Sequence, residues 1–137
     1  MVDDPAHADL AVLRIDAPFE PRPGGFESFF HAGSLEFAAV ERGRIVAICR
    51  QLPTIVVLFL DRPAVVPEIA EAAADLLVEF GARDDAVVDV LLAAAHAQGR
   101  LPFDLPSSMR AVAESRSDVP FDTADPLFRF GHGILSS

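Results

Sequence analysis

At 137 residues, 51% of them hydrophobic, the chain is long and apolar enough to bury a core as one domain, 1–137, and too apolar to be globally disordered. Eleven basic residues against 21 acidic ones leave a net charge of −10, which argues against a nucleic-acid partner. No apolar run approaches the roughly 20 residues of a membrane helix; the lone Cys49 excludes an internal disulfide, and no His or Cys cluster has metal-ligand spacing.

Residues 1–8 read as a loose leader without the basic and apolar regions of a signal peptide, so the expectation is a cytoplasmic chain. Leu10 to Ile15 is a compact apolar run stopped by Asp16 and Pro18, which suits a buried strand. From Asp16 to Gly33 there are three prolines, three glycines and no sustained periodicity, and a loop this long inside a compact domain is usually functional. Ser34 is the expected N-cap of a helix over Leu35–Gln51, with Phe37, Val40, Ile45, Ile48, Cys49 and Leu52 on its apolar face. Pro53 ends it.

Thr54 to Leu60 is β-branched and wholly apolar, as a parallel strand covered on both faces would be. Asp61-Arg62-Pro63 closes it, and Pro67 opens a short helix at the favoured first position. The pattern over Ala70–Phe80 fits either a helix from Glu68 or a strand over Asp75–Phe80. Asp84 or Asp85 caps a further helix through Leu92, and the rest is irregular apart from a turn of helix at Ser108–Glu114. Alternating strands and helices predict a parallel α/β sheet with right-handed crossovers. In such sheets ligands bind beyond the carboxyl ends of the strands, where the 16–33 loop and the Asp61-Arg62-Pro63 turn both fall.

The 16–33 loop sets Asp16, Glu20, Arg22, Glu27 and His31 among four phenylalanines. A carboxylate among aromatics is a candidate general acid; equally, the phenylalanines pin the loop down and the charges are solvated. His31 is a candidate ligand-orienting residue, and Arg62 either clamps a ligand or pairs with its neighbour Asp61. Arg100 and Asp104 serve the shape of their own loop, and Cys49 reads as a small buried hydrophobe. No nucleophile elbow, phosphate-binding loop or dinucleotide fingerprint is present, so no cofactor is expected.

Two proline- and glycine-rich runs, Gly99-Arg-Leu-Pro-Phe-Asp-Leu-Pro106 and Asp125-Pro-Leu-Phe-Arg-Phe-Gly-His-Gly133, resemble in order the closing segments of the C-terminal domain of glycoside hydrolase family 3, the β-glucosidases and β-xylosidases. Thr54 to Val66 resembles a strand and its Gly-Arg-Pro type turn, with Asp61 at the usual small residue. Asp75 to Gly81 resembles the next strand, and Asp84–Ala95 a helix that normally ends in Leu-Phe-Gly, here Leu91-Leu92-Ala93. The resemblance implies an α/β three-layer sandwich with a mostly parallel sheet, a flavodoxin-like half and an irregular C-terminal segment. It also implies an active site where this domain meets a barrel domain carrying the nucleophilic aspartate, for which nothing here is a match. Carried over by position, Glu20 is the candidate acid/base and Glu27 the second choice, with Arg22, His31 and Arg62 as substrate-binding candidates for a β-glucoside. The chain thus reads as a fragment, with an open sheet edge that invites homo-oligomers. The alternatives are a non-catalytic carbohydrate-binding or protein-interaction module of the same fold, and an unrelated flavodoxin-like domain.

Overall fold

A computed structural model describes residues 7–26, 30–116 and 118–133. Three strands, β1 (Ala11–Asp16), β2 (Thr54–Phe59) and β3 (Asp75–Glu79), form a parallel sheet in the order β1-β2-β3. Two crossover helices connect them, α1 (Ala39–Gln51) from β1 to β2 and α2 (Pro67–Ala72) from β2 to β3. This is the expected α/β sandwich. The 75–79 segment is a strand, so the pattern left open by sequence resolves in favour of the family resemblance.

Register sorts the strand residues onto two faces. Leu13, Val56 and Leu76 lie side by side, as do Ile15, Leu58 and Val78. This face joins Ile45 and Cys49 of α1 and Ile69 of α2 in the main core, where Ile45, Val56, Leu58 and Ile69 are fully buried. Each such side chain contributes about 1.5–3 kcal/mol on leaving water. Burial pushes the Cys49 thiol up from its ordinary value, ahead of the opposing Thr54 hydrogen bond, which keeps it an uncharged part of the core.

On the opposite face Arg14 reaches past β2 to Glu79 of β3, 2.8 Å away, and to Asp84 at the start of α3 (Asp84–Leu91). The buried Glu79 carboxylate also accepts the backbone N–H of Gly81 at 2.6 Å and of Ala82 at 2.8 Å, so one side chain closes the β3–α3 turn and ties it to β1. Among the described residues β1 pairs only with β2, and Leu10 and Val12 are half exposed beside this edge.

The first helix departs from expectation. It starts at Ala39, not Leu35, and its N-cap Ala38 supplies no side-chain bond. Ser34 instead accepts the N–H of Glu36 in a local turn. Leu35 and Glu36 run alongside Val65 as a parallel bridge, with Val65 N–H donating to the Leu35 carbonyl, and that pairing sets Phe37 into the core before the helix begins. Val40, assigned by periodicity to the apolar face, is 87% exposed; Val46 takes the buried position.

The closing runs are held by each other. Leu105–Pro106 (β4) and Pro126–Phe128 (β5) form a short antiparallel ladder, separated in sequence by the helix α4 (Met109–Glu114), whose N-cap Ser108 accepts the Ala111 N–H. Leu101 N–H donates to the His132 carbonyl and Gly131 N–H to the Leu101 carbonyl, both at 2.8 Å. Arg100 and Asp104 serve the opposite run rather than their own: Arg100 donates to the Gly131 carbonyl and Asp104 accepts the Phe130 N–H. Gly133 presses so close that a Cβ there would lie 2.5 Å from the Gly99 carbonyl oxygen. Leu101 and Leu105 are buried in the main core, so these runs are part of the packing.

Candidate functional site

Parallel strands deliver their carboxyl ends to one rim. Ala17 N–H donates to the Phe59 carbonyl and Leu60 N–H to the Glu79 carbonyl, so the chain leaves β1, β2 and β3 side by side there. From this rim the 17–38 segment loops out and returns. Its return is fixed where Glu20 N–H donates to the Ala32 carbonyl at 2.9 Å, an antiparallel bridge that closes the loop at its base.

Three further contacts secure the return. Glu20 Oε1 accepts the Ser34 N–H at 3.2 Å, with the Glu20 side chain lying over Gly33. Gly33 has φ +86°, and a Cβ there would fall 2.6 Å from Glu20 Oε2, so the close approach needs glycine on both counts. Arg62, on the turn after β2, donates from Nη2 to the Gly33 carbonyl at 2.8 Å. His31 pairs through Nδ1 with Asp61 Oδ2, and its ring stacks flat on Phe19, centroids 3.8 Å apart and planes within 4°.

The structure therefore gathers three of the sequence candidates, Glu20, His31 and Arg62, onto one rim. Arg62 uses the Gly33 carbonyl rather than its neighbour Asp61, and its Nη1 is buried without a hydrogen-bond partner among the described residues. Arg22 is exposed in the loop and makes no hydrogen bond or ion pair with another described residue, so it is not drawn into the group. Glu27 lies outside the described residues. Asp61 is the member that residue spacing does not reveal: adjacency offers it Arg62, whereas its partner His31 is 30 positions away.

Glu20 also lines a cleft of about 300 Å³, together with Pro18, Phe19, Ser34, Glu36, Phe37 and Ala38. The cleft offers an aromatic face, two carboxylates and a hydroxyl. A ring can take the apolar C–H groups of a ligand, and carboxylates can accept its O–H or N–H donors. Among the described residues no group of three or more His, Cys, Asp or Glu is placed to hold a metal ion. No helix of the described residues is long and apolar enough to cross a membrane.

A parallel sheet with covering helices, polar loops on its carboxyl rim and two interlocked closing runs define an α/β-sandwich domain. The family model of the glycosyl hydrolase family 3 C-terminal domain matches residues 1–135, and the chain belongs to that family. It is 52% identical over 134 residues to a probable beta-glucosidase C of Aspergillus flavus and 50% identical over 134 residues to beta-glucosidase C of Emericella nidulans. It is 35% identical over 138 residues to a periplasmic beta-glucosidase/beta-xylosidase of Dickeya chrysanthemi. Each of these alignments takes in 98% of the chain but only 21–22% of the relative, so the chain spans about a fifth of the length of the curated relatives it matches.

Proposed function

We propose that this domain supplies the acid/base side of a β-glucoside-hydrolysing site, completed by a barrel domain that carries the nucleophile. The observation that carries the reading is the convergence of Glu20, His31 and Arg62 on the carboxyl rim, where Glu20 lines a cleft. Glu20 suits the acid/base role in one specific respect. Oε1 is anchored by the Ser34 N–H, while Oε2 makes no hydrogen bond to a described residue and lies on a residue that lines the cleft. A carboxyl held by one oxygen and open at the other can deliver a proton to a departing glycosidic oxygen and take one from water in the return step. The retaining mechanism requires a second carboxylate about 5–5.5 Å away, a role this reading assigns to the barrel domain.

A second reading rests on the same contact. The Glu20 side chain braces Gly33 and Ser34, which is what a purely structural glutamate would do, and this favours a non-catalytic carbohydrate-binding module of the same fold. The two readings separate in a chimera in which this chain replaces the corresponding segment of the Emericella nidulans beta-glucosidase C. With a nitrophenyl β-glucoside, the chimera is expected to turn over and the isolated chain is not. Glu20→Gln keeps an oxygen for the Ser34 N–H and is expected to lower kcat by about 10² or more. Unchanged turnover in the folded Glu20→Gln chimera would refute the acid/base assignment and leave the binding-module reading.

A further inference from the structure

We infer that Asp61 is a positioning residue for His31, and that Nε2 of His31 is a hydrogen-bond acceptor for a hydroxyl of a neutral sugar ligand. The inference deepens the carbohydrate reading above and rests on it. Three constraints act on the His31 ring. Its Nδ1 contacts Asp61 Oδ2, one face lies flat against Phe19 at 3.8 Å, and its neighbour Ala32 is pinned by the backbone bridge to Glu20. Together they fix the ring's position and both of its torsions. An ionised carboxylate can only accept, so the proton of the neutral imidazole sits on Nδ1 and Nε2 carries the lone pair. Nε2 makes no hydrogen bond to a described residue, and the side chain is 36% exposed.

An oriented acceptor beside an aromatic face has a defined complement. A sugar hydroxyl donates to Nε2, while an ionised carboxylate has no proton to give. The turn that holds Asp61 also holds Arg62, whose contact with the Gly33 carbonyl fixes the chain two residues after His31. Asp61 stands where the resemblance has a small residue, so this orientation is a property of the present chain and those that share its aspartate.

The test reads the imidazole directly, on the 137-residue chain labelled with 15N at its four histidines, the His31 signals being assigned by their loss in His31→Gln. Long-range proton–nitrogen correlation is expected to show His31 with the proton on Nδ1. Asp61→Ala is expected to shift that proton to Nε2, and Asp61→Asn, whose amide oxygen still accepts from Nδ1, to preserve the wild-type state. Methyl β-D-glucopyranoside is expected to move the Nε2 resonance of the wild-type chain and of Asp61→Asn, with affinity for Asp61→Ala weaker by roughly fivefold. A proton on Nε2 in the wild-type chain, or Asp61→Ala with wild-type tautomer and affinity, would overturn the positioning role. Sugar-induced shifts elsewhere in the chain with Nε2 unmoved would overturn the hydroxyl contact while sparing the carbohydrate reading. No sugar response at any residue would likewise overturn the hydroxyl contact, the acid/base reading being tested by the chimera.

Discussion

Replacing Ala93 with glycine should stabilise the domain, and the reason lies in how α3 ends. The Ala94 N–H donates to the Asp89 carbonyl at 2.8 Å and the Ala93 N–H to the Val90 carbonyl at 3.1 Å, the paired bonds of a Schellman motif with Ala93 at the position after the cap. That position calls for a left-handed backbone, and Ala93 has φ +56°. An L-residue with a Cβ loses about 1–2 kcal/mol there relative to glycine. Glycine gives back about 0.4–1 kcal/mol through the greater freedom of its unfolded chain. Ala93 is exposed, so its methyl group contributes no core packing to offset the change. The net expectation is a gain of about 0.5–1 kcal/mol, a rise in Tm of roughly 2–4 °C for a domain of this size. Thermal unfolding followed by circular dichroism, with urea titration to check that the m-value is unchanged, measures it. Ala93→Asn should fall between glycine and alanine, and Ala93→Val below alanine because a β-branched side chain fits the left-handed region worst. A glycine variant no more stable than the parent, or a valine variant equal to it, would refute the argument.

Glu79 gives a signature in pH. Burial alone would raise its carboxyl, but the Arg14 side chain and the Ala82 and Gly81 N–H groups outweigh burial and hold it below the ordinary glutamate value. Its stabilising contribution is therefore fully present above about pH 4.5 and drains away as pH falls through its lower folded value, so Glu79→Gln should flatten the acid limb of a stability–pH curve. Glu79→Ala, which strands two backbone donors, should cost about 2 kcal/mol in urea unfolding at neutral pH. Gly133→Ala forces a methyl against the Gly99 carbonyl oxygen and should cost about 1–3 kcal/mol, whereas Gly43→Ala, in α1 with open space around it, should gain about 0.5–1 kcal/mol; equal Tm values for the two variants would show that the closing runs are not interlocked as described.

What the sequence made legible follows from where the information sits. The strand at Thr54–Phe59 and the helix opened by Pro67 are encoded locally, one by an unbroken β-branched run and the other by a proline at the first helical position. The start of α1 is not local. Ser34, Leu35 and Phe37 carry fair helical signals, yet pairing with Val65, about 30 positions on, and burial of Phe37 win over propensity and delay the helix to Ala39. The rim shows the same divide. Glu20, His31 and Arg62 could be chosen from their residue types and their place after parallel strands. Which of them touch depends on contacts between positions 30 apart, such as His31 with Asp61, and no spacing rule announces those.

The same divide explains why the rim and the fold cannot be separated by truncation to alanine. Each polar group that could meet a ligand already has one hand on the loop: Glu20 through Oε1, His31 through Nδ1, Arg62 through Nη2. Oε2 of Glu20 and Nε2 of His31 make no hydrogen bond to a described residue, and Nη1 of Arg62 is buried without a partner among them. This division of labour makes orientation cheap, because the contact that holds the loop also aims the free atom. It also means that truncation to alanine removes the brace together with the candidate ligand contact. Only isosteric changes that keep the brace and alter the free atom, such as Glu20→Gln, report on chemistry rather than on the shape of the loop.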